Sequence, residues 1–451
     1  MKKNKVAILT TFYSHDQGYS LCHCVEDQIR MLVDNGYKIK LIVDEDFKSP
    51  GGYWSHPNVT YTYTPKGIPR SNEGELPDDW KKHADKLYTN LKAILKDVDV
   101  VLTHDVVLQP AHLLWNVACR WVDKELPIRW LHWSHSPTAP QIKCNIKEIS
   151  SLIKNKFPNS LYCYPNSWDT KRVAVNYDCE LDEVKTVHHP SDFVSLLCGD
   201  EDDFNERGLE AWKLTRDFVN DFKLLDADVI SVYPCRLDRG KQPEFLIKTM
   251  AKIKESGRSV RCVIVDFHST GGDKVTYREE LKTTAKEWGL TEKECIFTSE
   301  WKEETRYNMP RAFVMNLKKF SDFQMHPSNT ETYSLVVQEG MATKNFSILN
   351  YHTPQMRDIY GSKNVYYEQF GATVNALDGS DGTTSIQISN PQEHFEILAK
   401  KVLYFVENNP ILAQWRFIRQ KRNTNYVFKH ELESLLYKTE LGENVHGTKP
   451  N

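Results

Sequence analysis

Short runs rich in apolar, β-branched and aromatic residues alternate along most of the chain with longer stretches in which apolar residues recur every three or four positions. The runs at 5–10, 37–43, 57–64, 99–104, 127–136 and 160–167 predict strands, and the periodic stretches between them predict helices. Val25, Ile29, Met31 and Leu32 mark one such helix, closed by Gly36, and another opens at Asp78 and ends at Leu95. Strand, helix and strand in succession are the unit of a doubly wound parallel sheet. The order resumes with strands at 228–235, 260–266, 295–299, 323–326 and 345–350, a helix from Pro243 and another ending at Trp288. From Pro391 the chain turns helical with a polar face.

Two such series in 451 residues exceed a single ordinary core and predict two α/β domains. Residues 1–198 form the first, 199–226 an acidic linker or helix, and 227–420 the second; 421–451 supply a helix packing back on the first domain and a polar tail. Hydrophobic residues at 40% and charged residues at 26% are values of a globular chain. A net charge of -3 argues against a strongly basic nucleic-acid binder and leaves room only for a local basic cleft. Ten scattered cysteines and no apolar leader predict reduced thiols and a cytoplasmic protein, and no stretch approaches the length of a membrane span. Cys22 and Cys24, flanking His23, are the only close pair; without a second pair at ligand spacing, no metal site is expected.

Ligands of open α/β sheets lie beyond the carboxyl ends of the strands, so polar residues there are the first candidates. They include Gly18 after the first strand, His135 at the end of the 127–136 run, and Ser299 and Trp301 after 295–299. Arg236 and Lys241 stand five apart on the loop after 228–235, an arginine able to fork onto phosphate oxygens and a mobile point charge. Residues 326–342 carry the densest signal: Glu331 on a loop, then Leu335, Val336, Val337, Met341 and Ala342 at helical spacing, with Glu339 two turns in. Amides of Tyr333, Ser334 and Leu335 in a first helical turn make an anion site with a carboxylate at each end. On spacing alone, the two glutamates are equally a capping acid and a solvated helix face.

Glu331, seven residues and Glu339, after a strand ending in Pro327 and Ser328, resemble the paired-glutamate motif of retaining glycosyltransferases of the GT-B fold. The resemblance implies two Rossmann-like domains facing each other across a cleft, with C-terminal helices. It implies a nucleotide diphosphate sugar as donor, Glu331 and Thr332 at its sugar, and Glu339 at its ribose. Arg236, Lys241 and the amides of Tyr333, Ser334 and Leu335 would hold its diphosphate, with Ser299 and Trp301 at the base. Gly18 would lie near the donor phosphate or acceptor, and His135 near the sugar. No metal is then required, and the leaving phosphate takes the acceptor's proton. Thr332 and Ser334 stand where many members have glycine, which narrows the space by the donor sugar. The acceptor is a saccharide, a lipid-linked glycan or DNA; for the last, residues 128–135 resemble a strand of the T-even phage DNA α-glucosyltransferases. A non-catalytic nucleotide-sugar or nucleic-acid binding module and a sugar-nucleotide epimerase of the same fold are the alternatives.

Overall fold

The first apolar run folds as β1 (Val6–Leu9), followed by β2 (Ile39–Asp44), β3 (Val59–Thr64), β4 (Val100–His104), β5 (Arg129–Trp133), β6 (Ser160–Tyr164) and β7 (Val184–Thr186). They form one parallel sheet in the order β3-β2-β1-β4-β5-β6-β7. The computed structural model describes residues 4–15, 20–71, 74–107, 109–137, 144–153, 155–198, 206–267, 272–307, 309–375, 383–386, 388, 391–408, 421–422 and 424–437. Its second parallel sheet comprises β8 (Val229–Pro234), β9 (Val260–Val265), β10 (Cys295–Phe297), β11 (Phe323–His326), β12 (Phe346–Asn350) and β13 (Tyr366–Glu368), ordered β10-β9-β8-β11-β12-β13. Both orders reverse at their first strand: β1 lies between β2 and β4, and β8 between β9 and β11. Connections leave such a strand toward opposite faces, which opens a crevice beyond its carboxyl end.

Successive side chains of a strand point to opposite faces, so each sheet buries two layers. Ala7 and Leu9 pack with the helices Trp80–Leu95 and Leu113–Asp123, whereas Val6 and Ile8 pack with Ser20–Asp34. The second face of the first sheet is completed from the far end of the chain. Val427, Phe428, Leu432, Leu435 and Leu436 join that cluster, each contributing about 1.5–3 kcal/mol if fully buried. Glu431 adds two bonds to His188: the backbone N–H donates at 2.6 Å, and Nδ1 lies 2.7 Å from the other carboxylate oxygen.

Within the stretch read as linker or helix, Glu206–Asp221 is a helix packed on the second sheet, with Ala211, Leu214 and Phe218 against Ile230, Val232 and Phe313. Its acidic composition had concealed an apolar stripe at i, i+3 and i+7. An antiparallel pair, Ala372–Asn375 with Thr383–Ile386, was not foreseen, because four-residue segments are too short for their period to register. None of the ten cysteines forms a disulfide, and among the described residues no helix is long and apolar enough to cross a membrane.

Candidate functional site

In the second sheet the switch-point crevice is built from the loops after β8 and β11. Tyr233, near the end of β8, donates its hydroxyl to the Lys241 carbonyl at 2.9 Å and lies 3.2 Å from Ser328 Oγ. The Asn329 amide donates to the Gly240 carbonyl at 2.9 Å, and a Cβ on Gly240 would sit 2.8 Å from Asn329 Oδ1. A larger residue there would have to turn the Asn329 side chain aside. The contact between the two loops sets Lys241 Nζ 2.5 Å from Glu331 Oε1, the carboxylate 11% exposed and the ammonium 28%. Ninety residues apart in sequence, the two candidates form one ion pair. Arg236, 61% exposed, is held at the rim by Asp238 at 2.6 Å. Arg239 points away, forked onto Glu280 at 2.8 and 2.9 Å.

The helix beyond this loop begins at Leu335, two residues later than expected, and ends at Ala342. Ser334 is its N-cap, at φ 63° and ψ 80°, while Tyr333 lies ahead of it. The left-handed region costs a residue with a Cβ about 1–2 kcal/mol. It is also the region glycine adopts freely. Tyr333 is turned inward, its hydroxyl 3.0 Å from the His189 carbonyl, and Asn166 Nδ2 donates to the Thr332 carbonyl at 2.8 Å. Together with Gln338, which donates to the His189 carbonyl and Ser191 Oγ, these bonds tie the helix to the first domain.

Glu339 faces the same interface and is buried. Arg311 donates to its Oε1 from Nε at 3.2 Å and Nη2 at 3.1 Å, and the Lys318 ammonium stands 3.7 Å from Oε2. Burial would raise the Glu339 carboxyl, but Arg311 and Lys318 outweigh it and hold the group below its usual range. Opposite stands Asp27 of Ser20–Asp34, whose carboxyl burial pushes up to about 7 against the pull of Arg311 and Arg30, with Glu26 and Asp192 adding repulsion. Folded protein therefore keeps the Asp27 proton across the interval from 3.8 to about 7, where the unfolded chain has released it. Stability falls as pH rises through that interval. Asp27→Asn is expected to be more stable than the parent at pH 8, with the advantage vanishing toward pH 4 in a series of chemical denaturations.

At the carboxyl edge of the first sheet, beyond β4 and β5, lies a layer of imidazoles. His104 and His135 stack at 5.5 Å, His135 and His189 at 5.3 Å with ring planes 7° apart. His104 Nε2 lies 2.9 Å from Gln28 Oε1, and its Nδ1 lies 3.2 Å from His135 Nε2. Asp105, left-handed at φ 52°, accepts the His135 amide at 3.0 Å. Burial holds all three imidazoles below the usual histidine range, so they are neutral near pH 7.

The whole chain superposes on known structures of one architecture. A glycosyltransferase from Rickettsia africae ESF-5 gives a TM-score of 0.63 at 13% identity, over 96% of this chain and 97% of that one. Anabaena HepE in complex with UDP gives 0.60 at 12%, over 96% and 99%. Sucrose-phosphate synthase from Thermosynechococcus elongatus gives 0.60 at 12%, over 94% and 96%. This is the GT-B fold. No protein-family model and no curated protein matches the sequence.

In the GT-B frame the candidates separate. Lys241 and Glu331 meet, Arg236 lies on the same loop as Lys241, and Thr332, Ser334, Leu335 and Glu339 follow on the neighbouring segment. Ser299 is instead locked into a buried network: its hydroxyl donates to Asp266 Oδ2 at 2.7 Å and accepts from Arg278 Nη1 at 2.8 Å. The Trp301 ring packs between Phe218 and Phe313, and its Nε1 donates to Asp221 at 2.9 Å. These partners occupy both side chains, so neither is assigned a base contact below. Gly18 lies outside the described residues. Sequence reasoning passed over Arg311 and Asp27 and assigned no role to His104 or His189. The two histidines carried a signal, as polar residues at or just beyond a strand's carboxyl end.

Proposed function

We propose that this chain is a retaining glycosyltransferase that moves a sugar from a uridine diphosphate sugar to an acceptor hydroxyl. The observation that carries this reading is the Lys241–Glu331 pair at the β8/β11 crevice, where a cation and a carboxylate stand ready for the diphosphate and the sugar of such a donor. Anabaena HepE, of the same fold, has been captured with UDP and with UDP-glucose, which supports the choice of nucleotide.

On donor entry Lys241 would exchange Glu331 for diphosphate oxygens, Arg236 would swing from Asp238 to join it, and Glu331 would accept hydrogen bonds from the sugar hydroxyls. Glu339 is assigned to the ribose and the Ser334–Leu335 amides to the diphosphate. The bond from C1 to the phosphate oxygen breaks with its electron pair leaving on the phosphate. The acceptor oxygen bonds C1 from the same face, and its proton passes to that phosphate oxygen, giving glycoside and UDP. Cations held ready where charge develops are the main source of acceleration in such a scheme, and they do the work a diphosphate-bound metal would do. Exclusion of water as the domains close limits hydrolysis of the donor.

The acceptor we favour is a saccharide, free or lipid-linked, in keeping with sucrose-phosphate synthase and the lipopolysaccharide glycosyltransferase WaaG among the similar structures. Thermal stabilisation against a panel of nucleotide sugars, followed by assay of released UDP with saccharides, lipid-linked glycans or hydroxymethylcytosine DNA, tests this. One uridine donor should stabilise the protein, with UDP release rising on addition of a saccharide acceptor. Release that rises only with DNA would move the acceptor to nucleic acid, and stabilisation by no donor would overturn the reading.

A further inference from the structure

We propose that Cys24, His135 and His189 form a site for a zinc-class transition-metal ion at the carboxyl edge of the first sheet. One ligand atom from each lies within 4.8 Å of the others, and among the described residues no other trio of His, Cys, Asp or Glu converges in this way. The three come from separate elements: the helix Ser20–Asp34, the end of β5, and the segment after β7. The proposal does not rest on the transferase reading, and the site is distinct from the diphosphate cations, which follow β8.

Three features beyond proximity favour a ligand here. His189 Nδ1 is buried without a hydrogen-bond partner, a costly state for a polar atom unless something is bound to it. The proton order in the imidazole layer also leaves a lone pair open. With Gln28 oriented so that Oε1 faces His104 Nε2, His104 carries its proton on Nε2 and accepts at Nδ1 from His135 Nε2, and His135 Nδ1 is then unprotonated. Finally, hydrogen bonds anchor the backbone of both histidines at this edge of the sheet. Asp105 accepts the His135 amide, and Tyr333 and Gln338 both donate toward the His189 carbonyl.

One thiol and two imidazoles make a donor set of intermediate softness suited to Zn²⁺, with a fourth position left for water. The close pair in the sequence is not the site. Cys22 and Cys24 are two residues apart on one helix, so their side chains diverge by about 200° and cannot share an ion. Bound there, the ion would pin the helix carrying Asp27 and Arg30 to the strand ends and to the segment that meets Tyr333.

Full-length protein equilibrated with Zn²⁺ and freed of excess by gel filtration should retain one equivalent by elemental mass spectrometry. Its zinc-edge absorption spectrum should show one sulfur and two imidazole nitrogens. Cys24→Ser and His189→Asn should each weaken Zn²⁺ binding at least about 10-fold, whereas Cys22→Ser should not. No retained zinc, a shell without sulfur, or affinity indifferent to both substitutions would overturn the proposal. Should the substituted chains fail to fold, the spectrum of the unsubstituted protein decides alone.

Discussion

Lys241→Ala is expected to lower kcat/KM for the stabilising donor by about 10²- to 10³-fold, the loss seen when one preorganised donor to a developing negative charge is removed. Two effects add. The leaving diphosphate loses a cation, and Glu331, only 11% exposed, loses the ammonium 2.5 Å away and stands as an unpaired carboxylate beside an incoming anion. Lys241→Arg should recover only part of the loss, because a planar fork does not reproduce a compact point charge in a crevice shaped by the Gly240–Asn329 contact. Glu331→Ala alone should impair turnover as well, and the double substitution should cost less than the sum of the two, since each removes the other's partner. Steady-state UDP release, with circular dichroism to establish folding, provides the check. Folded Lys241→Ala protein with full turnover would remove both residues from the mechanism.

Gly340→Ala is expected to destabilise the protein by about 3 kcal/mol, the range of an overpacked core that also loses buried hydrogen bonds. A Cβ at Gly340 would fall 1.9 Å from Gln324 Oε1 and 2.2 Å from its Cδ. Gln324 has no room to retreat: it is fully buried on β11, and its Nε2 donates to the Val337 carbonyl at 2.9 Å and Ser347 Oγ at 2.7 Å. Its Oε1 faces His326 Nε2 at 3.2 Å. Either the side chain gives up these partners or the helix Leu335–Ala342 lifts off the sheet. The second course displaces Glu339 and the Ser334 cap, so donor stabilisation should weaken in parallel. Chemical denaturation measures the first effect. Adding Gln324→Ala should restore part of the stability, and a Gly340→Ala protein as stable as the parent would show that the contact is relieved at no cost.

Much of this architecture was legible in the sequence because it is local. Val6 to Leu9 and Cys262 to Val265 are apolar runs, and a run of that kind buried on both faces has few other stable states. Arg236, Lys241 and Glu331 were singled out for a related reason: each sits a few residues beyond a strand end, and a doubly wound sheet presents those ends together, while Glu339 followed from the paired-glutamate resemblance. Ser299 and Trp301 met the same rule and still found partners within the protein, since position beyond a strand does not say which way a side chain turns.

By itself, then, the chain's pattern determined two series of strands and helices and the loops on which charged groups would gather. Tertiary structure alone decided which of those groups meet. The Lys241–Glu331 pair, the hold of Arg311 on Glu339, the burial that keeps a proton on Asp27 and the convergence of Cys24 with His135 and His189 all join residues far apart in sequence. The reason is physical: periodicity records which face of an element is buried, while pairing and desolvation arise only when packed elements bring distant side chains into one low-dielectric space.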